Sequence, residues 1–293
     1  MTNWRRKRAK EIWQALKLRE NIWLALGIGN SRLHWAWFMG KTFCGAWDTE
    51  HLAVAAIQEM NQPWGRGKLN RELLKTSLIR ELDFVQDTIG DGFHDRDRPL
   101  PLYLASVVPQ QTEIWQNYPD VRTIAIEQIP LEGKYPTLGI DRALAVLGAG
   151  VTFGWPILVM DAGTAFTFTG ADGARQLVGG AILPGLTLQI QSLAKGTAAL
   201  PEIELPATLP PRWSLNTTSA IQSGIIHTVL AGIADFMQAW WQEFPESRIV
   251  LTGGSSTFVF NNLQALFPQL AAKIVRDPHL IFWGIRSIVI AND

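Results

Sequence analysis

The chain has 293 residues, of which 47% are hydrophobic and 18% are charged, and its formal net charge is +0. A neutral chain of this length can form two globular domains, but it offers no overall electrostatic attraction for nucleic acid or an acidic partner. Its single cysteine, Cys44, excludes an internal disulfide framework and fits a reducing compartment.

Residues 1–20 are basic and helix-prone, and apolar side chains lie between the charged ones. They contain no apolar core followed by a small-residue cleavage site, which excludes a secretory signal. We expect a solvated amphipathic extension that packs on the body of the protein or on a neighbouring subunit. An organelle transit peptide is the alternative, although the segment is poor in serine.

The following residues, 21–136, predict a first α/β domain. Two strands, Asn21–Ile28 and Arg32–Met39, are joined by the small-residue turn Gly29-Asn30-Ser31. Further elements are expected in the order helix 50–60, helix 70–89, strand 100–108, helix 110–117 and strand 121–126. This succession of helices and strands completes the domain.

The turn Asp161-Ala162-Gly163-Thr164 lies between two predicted strands in the second half of the chain. Residues 156–160 form a nearly continuous apolar run, typical of a buried strand, and a strand-like alternation follows over residues 165–169. Glycine lets a backbone approach a ligand closely, and amide and hydroxyl groups at such a turn can bind phosphate oxygens. Because the first hairpin has a similar form, we expect a duplicated architecture with two phosphate-facing turns around one cleft.

The segment Gly139-Ile140-Asp141-Arg142 precedes this hairpin and opens a helix predicted over residues 143–147. It places a candidate base beside a cation. Phosphoryl transfer requires a carboxylate near the acceptor hydroxyl, positive charge and a phosphate cradle. The uncharged stretch 143–160 nearly reaches the length of a membrane span, but its glycines and Pro156 favour a helix, a loop and a strand.

Residues 179–185, GGAILPG, form either a flexible wall of a cleft or a corner between a strand and a helix. A helix over 186–193 and a proline-rich surface loop over 201–212 are expected next. Residues 216–219, NTTS, are predicted to cap a long helix over 220–244. The remaining predicted elements are a strand over 248–251 that leads into Thr252-Gly253-Gly254, and helices over 263–270 and 278–288.

With these motifs in order, the chain resembles the type III pantothenate kinases of the acetate and sugar kinase, Hsp70 and actin superfamily. The likeness covers nearly the whole chain after Glu20. It is carried by an ordered set of motifs with the approximate spacing of that family: residues 139–142, 161–164, 179–185, 216–224 and 252–254. An ordered set of this kind is far harder to obtain by chance than any one member.

The resemblance implies transfer of the γ-phosphoryl group of ATP to the 4′-hydroxyl of pantothenate, the first step towards coenzyme A. It implies that Asp141 is the general base. The residues that would bind pantothenate are Tyr135, Gly139, Ile140, Arg142 and Thr217. Tyr135 is the only candidate for the tyrosine that precedes Gly-x-Asp-Arg in the family, and its spacing is shorter than usual.

The resemblance also implies the nucleotide and metal sites. The residues that would bind ATP are Gly27, Gly29, Asn30, Ser31, His34, Thr164, Gly253 and Gly254. Magnesium would accompany ATP, and Asp161 would bind a monovalent cation, potassium or ammonium. The implied fold is two ribonuclease-H-like (actin-like ATPase) α/β domains, 21–136 and 137–293, flanking a central cleft. The implied protein is a cytoplasmic homodimer that binds neither nucleic acid nor membrane.

The chain departs from the family pattern at its first turn. The family has an aspartate that helps to organise magnesium and phosphate where this chain has Gly27, and some members have a lysine where it has His34. Magnesium often keeps several water ligands, so activity is compatible with this loss. Gly27 motivates one alternative to an active pantothenate kinase, a catalytically weakened relative that binds nucleotide or pantothenate and acts as a regulatory or interaction protein. The other alternative is a kinase of the same fold that acts on another small hydroxyl acceptor.

Overall fold

The structure is a computed structural model that describes residues 22–60 and 100–291. The chain divides into two compact units. The first unit contains the described residues up to Ile129, Gly139–Asp141 and residues from Ile285 onwards, and the second contains Pro130–Leu138 and Arg142–Gly284. The predicted extension 1–20 and the predicted helix 70–89 lie outside the described residues.

The first unit is built on a five-stranded mixed sheet with the order β3-β2-β1-β4-β5. Strand β1 pairs antiparallel with β2, and β2 with β3, whereas β1 pairs parallel with β4, and β4 with β5. Its elements are β1 Ile22–Ile28, β2 Leu33–Met39, β3 Thr42–Thr49, α1 Val54–Met60, β4 Leu102–Ser106, α2 Pro109–Trp115, β5 Val121–Thr123 and a short 3₁₀ helix, Ile126–Gln128.

The core of the first unit is rich in tryptophan. Trp35 on β2 stacks on Trp47 of β3 with ring centroids 5.8 Å apart, and it meets the edge of Trp115 from α2 at 5.2 Å. Trp35 and Trp115 are almost fully buried. Because aromatic pairs contribute beyond the area they bury, this cluster fixes α2 against the sheet.

The second unit is built on another five-stranded sheet, with the order β10-β9-β6-β7-β8. Strands β6, β7 and β8 form an antiparallel meander, and β6–β9 and β9–β10 are parallel pairs. The remaining elements of the chain are α3 Ile140–Phe153, β6 Ile157–Ala162, β7 Ala165–Ala171, β8 Leu177–Pro184, α4 Leu186–Gly196, α5 Thr217–Glu243, β9 Arg248–Thr252, α6 Ser256–Leu266, α7 Pro268–Ala271, β10 Ile274–Arg276 and α8 Leu280–Ala291. They belong to the second unit, except that the first two residues of α3 and the part of α8 from Ile285 onwards belong to the first.

The two sheets have the same topology. In each, three consecutive strands form an antiparallel meander, and the first of them pairs on its other side with the next strand in parallel. Strands β1 and β6 are therefore equivalent, and the turns that follow them, around Gly29 and Gly163, occupy the same topological position. The duplicated α/β architecture expected from the two hairpins is confirmed.

Helix α3, which carries Asp141 and Arg142, packs very closely on the start of α8. A Cβ atom at Gly148 would overlap the Leu280 carbonyl and lie 2.8 Å from the Gly284 amide nitrogen. A Cβ atom at Gly284 would in turn overlap the Leu144 carbonyl. Glycine at both positions allows the two helix backbones to touch, which fixes α3 within the second unit.

Several elements differ from the predictions. Strands β3 and β10 were not predicted. Residues 179–185 were predicted to form a cleft wall or a corner, but residues 177–184 form the edge strand β8, and only Gly185 lies at the corner before α4. The single helix predicted over 263–270 is wrong, because α6 ends before Phe267 and α7 begins at Pro268. Phe267 has φ −135° and ψ 61°. These angles lie outside the helical region, which is disfavoured for a residue that precedes proline.

The interpretation of residues 143–160 as helix, loop and strand is confirmed, because α3 ends at Phe153 and β6 begins at Ile157. Within the described residues, α5 is long and apolar enough to cross a membrane by length and composition. However, 50% of its most apolar window is buried inside the protein. Core helices meet the same criterion, so this feature is weak evidence for a membrane span.

Candidate active site

The turn between β1 and β2 is closed by backbone and side-chain hydrogen bonds. The Gly29 amide donates to the Arg32 carbonyl at 3.0 Å, and Nε2 of His51 lies 2.9 Å from the Gly29 carbonyl oxygen. Asn30 and Ser31 between them are exposed. The turn therefore presents an amide and a hydroxyl side chain on its outer surface, as a phosphate-binding turn requires.

Gly27, His34 and Asp48 lie side by side on three neighbouring strands. Gly27 is opposite His34 in the β1–β2 pair, and His34 is opposite Asp48 in the β2–β3 pair. Nδ1 of His34 lies 2.7 Å from Oδ1 of Asp48, and both side chains are about half exposed, at 43% and 50%. Sequence reasoning missed Asp48 because β3 was not predicted, and without that strand no register placed a carboxylate beside His34.

The Asp161–Thr164 turn lies where two parallel strands end. Asp161 is the next-to-last residue of β6 and is opposite Thr252, the last residue of β9. Asp161 is half-buried and Thr164 is exposed. In α/β sheets, ligands bind outside the carboxyl ends of parallel strands, so this position suits a carboxylate and a hydroxyl that serve a ligand.

The glycine pair after β9 packs directly on this turn. Gly253 has φ +91°, and a Cβ atom there would overlap Oδ1 of Asp161 and lie 2.6 Å from the Ala162 carbonyl carbon. The Ser255 amide donates to the Ala162 carbonyl at 2.9 Å. Gly254 differs, because a Cβ atom there would find no heavy atom within 4 Å. The pair thus combines one close backbone approach with one open position.

Gly185 is a further glycine at this end of the second sheet. Its amide donates to the Thr164 carbonyl at 2.9 Å, and a Cβ atom there would overlap the Gly163 carbonyl and lie 2.7 Å from that of Thr164. The structure therefore brings the predicted residues Asp161, Thr164 and Gly253 together, and Gly185 joins them from the end of β8.

Arg142 forms a second cluster in the same unit. Only 9% of its surface is exposed, and its guanidinium group donates to Tyr135 Oη at 2.8 Å, Thr169 Oγ1 at 2.9 Å and the Phe168 carbonyl at 3.3 Å. Tyr135 is 39% exposed. The structure thus brings together Tyr135 and Arg142, two of the residues predicted to bind substrate, despite the short spacing between them. Thr169 was not predicted.

Gly139, Ile140 and Asp141 lie at the amino end of α3. The helix begins at Ile140, so Asp141 is in its first turn, where the helix dipole and the unpaired amide groups favour a negative charge. Asp141 is half-buried. A carboxylate is one of the side chains that can serve as a general base.

Thr217 is the first residue of α5 and is exposed. The prediction that residues 216–219 cap this helix is confirmed, but the capping residue is Asn216 and not Thr217. The N-cap is Asn216, which has extended backbone angles and accepts a hydrogen bond from the Ser219 amide at 2.9 Å. A residue already inside the helix cannot cap it, so the Thr217 hydroxyl is not committed to this cap.

The donor groups of these turns suit phosphate oxygens and a metal ion that is bound together with a nucleotide. Among residues 22–60 and 100–291, no cluster of three or more histidine, cysteine, aspartate or glutamate side chains could hold a metal ion. Magnesium in phosphoryl-transfer sites is held by one or two carboxylates together with substrate phosphates and water. Such a metal fits the turns found here.

Comparison with known proteins identifies the family. The family model described as type III pantothenate kinase matches residues 23–239. A type III pantothenate kinase of Nostoc sp. is 51% identical over 278 residues, which are 94% of this chain and 97% of that protein. That of Synechocystis sp. is 39% identical over 272 residues, with 92% and 91% coverage. That of Gloeobacter violaceus is 38% identical over 264 residues, with 90% and 96% coverage.

Among solved structures, a conserved protein of Campylobacter jejuni described as a Baf family transcriptional activator aligns with a TM-score of 0.56. The alignment covers 92% of this chain and 98% of that one, at 18% sequence identity. This likeness supports the two-sheet α/β fold alone. The family match covers most of the chain and agrees with full-length relatives, and on this basis the chain belongs to the type III pantothenate kinase family.

Proposed function

We propose that this protein is an ATP-dependent pantothenate kinase, which forms 4′-phosphopantothenate in the first step of coenzyme A biosynthesis. Its membership of the type III family supports this activity. The observation that carries the proposal is the start of α3, where Asp141 lies in the first turn and is followed directly by the buried cation Arg142. A carboxylate next to a fixed cation supplies a base for the hydroxyl and a charge that can hold an anionic substrate.

In the proposed mechanism, Asp141 accepts the proton of the 4′-hydroxyl as the oxygen attacks the γ-phosphorus of ATP. The bond from that phosphorus to the β,γ-bridging oxygen breaks, and ADP leaves. Arg142 binds pantothenate, whose carboxylate matches the planar guanidinium group. Gly139 and Ile140 contribute backbone at the start of the helix, and the exposed Thr217 hydroxyl contributes a further polar contact. Tyr135 Oη accepts from Arg142 at 2.8 Å, which supports its place in the same subsite.

The residues proposed for ATP lie in the two turns between strands and in the glycine pair after β9. The turn of Gly29, Asn30 and Ser31, with His34 beside it, and the exposed Thr164 hydroxyl would bind phosphate oxygens through amide and hydroxyl groups. Gly253 and Gly254 would border the adenosine, and the open space at Gly254 is consistent with a flat base against the backbone. Gly27 belongs to the same subsite and contributes no side chain.

We propose two cation sites. Magnesium would be held mainly by the ATP phosphates and water, because Gly27 supplies no carboxylate; when bound, it would neutralise charge on those phosphates. A monovalent cation, potassium or ammonium, would be held by Asp161. Gly253 packs directly against this carboxylate, since a Cβ atom there would overlap Oδ1 of Asp161, and a carboxylate oxygen suits a hard cation.

We also propose that the protein is a cytoplasmic homodimer with two domains, 21–136 and 137–293, after a basic extension over residues 1–20. The motif resemblance to the family supports these features. The absence of a net charge is consistent with a small-molecule substrate and no nucleic acid partner.

The test is ATP-dependent formation of 4′-phosphopantothenate by the purified full chain, with magnesium, in potassium buffer and in sodium buffer. Product in potassium with much less in sodium would support both the base and the cation site. Gly27 favours one competing candidate, a weakened relative that binds without turnover. Binding of an ATP analogue without product in either buffer would establish that candidate instead. Phosphorylation of another hydroxyl compound, but not of pantothenate, would indicate a kinase for a different acceptor.

A further inference from the structure

Thr169 contacts the guanidinium group of Arg142 from inside the protein. Thr169 lies on β7, only 2% of its surface is exposed, and its Oγ1 accepts from Arg142 Nε at 2.9 Å. A side chain buried to this degree cannot touch a substrate. The hydroxyl of Thr169 can therefore affect substrate binding through its contact with Arg142.

Three hydrogen bonds of Arg142 involve its three different guanidinium nitrogens. Thr169 holds Nε, the nitrogen nearest the helix, whereas Tyr135 holds Nη1 and the Phe168 carbonyl holds Nη2. Because the guanidinium group is planar, acceptors on all three nitrogens fix both the direction of the side chain and the rotation of the plane. The side chain is therefore oriented before substrate binds.

The strand environment keeps Thr169 itself in place. Thr169 is opposite Val159 of β6 and Gly180 of β8, and its β-branched side chain has few rotamers. A Cβ atom at Gly180 would overlap the Phe168 carbonyl and lie 2.6 Å from Nη2 of Arg142. The guanidinium group thus lies directly against the β8 backbone, and only glycine at this position leaves room for it.

We propose that Thr169 is a positioning residue for carboxylate recognition: its hydroxyl holds the Arg142 guanidinium group in the orientation that binds the carboxylate of pantothenate. This inference rests on the proposed function. Fixing a flexible side chain in advance lowers the entropic cost of binding, so loss of the hydroxyl should weaken binding of the carboxylate and leave the chemical step intact.

The test compares three variants of the full-length enzyme. Thr169→Val keeps the shape of the side chain and removes the acceptor, and Thr169→Ser keeps the acceptor. Thr152→Val is the matched control, because it removes a hydroxyl hydrogen bond to the Gly148 carbonyl (2.7 Å) from the helix that carries Arg142. The kinetic constants are measured for ATP, for pantothenate and for pantothenol, in which a primary alcohol replaces the carboxylate.

Thr169→Val should raise the KM for pantothenate about tenfold, since it removes a hydrogen bond to a charged group. The KM values for pantothenol and ATP, and the kcat with pantothenate, should stay within about twofold of wild type. Thr169→Ser and Thr152→Val should both resemble wild type. If Thr169→Val does not fold, as judged by circular dichroism, Thr169→Ala replaces it with the same expected shifts.

Two outcomes would overturn the inference while the proposed function stands. In the first, the wild-type enzyme is active and the variant that lacks the hydroxyl has the same KM for pantothenate as the wild type. The other is an equal rise for pantothenate, pantothenol and ATP, which would indicate a general structural role. A wild-type enzyme that never phosphorylates pantothenate would overturn the proposed function, and the role of Thr169 in pantothenate binding with it.

Discussion

Gly253 and Asp161 are packed so closely that a Cβ atom on the glycine would overlap the carboxylate oxygen of the aspartate. The two residues lie next to one another because β6 and β9 run parallel and end at the same edge of the sheet. With φ +91°, Gly253 also has a backbone conformation that other residues rarely adopt. The glycine pair after β9 therefore holds the Asp161 turn in its shape.

Gly253→Ala should lower the free energy of unfolding by at least about 1 kcal/mol, because it combines strain at positive φ with overlap against Asp161. Gly254→Ala is the matched control for stability, since its Cβ atom would find no heavy atom within 4 Å. Urea unfolding of both variants measures the difference. Equal stability of the two variants would contradict the close packing at Gly253.

Asp141→Asn should lower kcat by at least about a hundredfold, because an amide cannot accept the substrate proton. The control is Asp172→Asn, which changes a carboxylate that accepts from the Ala174 and Gln176 amides at 2.8 and 2.9 Å in a surface hairpin. Steady-state rates of both variants are compared with wild type. Turnover of the Asp141 variant near the wild-type rate would refute its role as base.

Gly27→Asp should lower the magnesium concentration needed for the half-maximal rate, because it restores the carboxylate that the family places there. The new side chain would lie opposite His34, which already contacts Asp48. Gly27→Asn, of the same size but uncharged, is the control that separates charge from bulk. An unchanged or higher magnesium requirement would indicate that this chain has built its metal site from other residues.

Asp161→Asn should abolish the advantage of potassium over sodium, because it removes the charge proposed to hold the monovalent cation. The rate is measured as a function of potassium concentration at constant ionic strength. A variant with wild-type potassium dependence would place that cation elsewhere, or remove it from the mechanism.

Asn216→Ala should reduce the free energy of unfolding by about 1 kcal/mol, since it removes the N-cap of α5. Asn216→Asp keeps an acceptor oxygen for the Ser219 amide and should retain most of the stability. Thermal unfolding followed by circular dichroism distinguishes them. A full loss of stability in the aspartate variant would show that the side chain acts through some contact other than the cap.

Much of the site could be read from the sequence because it is local in the chain. The turns at Gly29 and Asp161 each lie between two apolar strands, and a pattern of neighbouring residues determines a strand, a turn and a strand. The same is true of the start of α3 at Asp141. Two hairpins of one kind also predicted the duplicated fold, which the common topology of the two sheets confirms.

Other features depend on which strand lies next to which, and only the tertiary structure decided them. Asp48 reaches His34, and Thr169 reaches Arg142, through contacts between segments separated by 14 and 27 residues. Gly253 requires glycine because of Asp161, a residue on another strand. The local sequence specifies turns and helix ends through backbone preferences. The partners of their side chains depend instead on strand register, and register is determined jointly by residues that lie far apart in the chain.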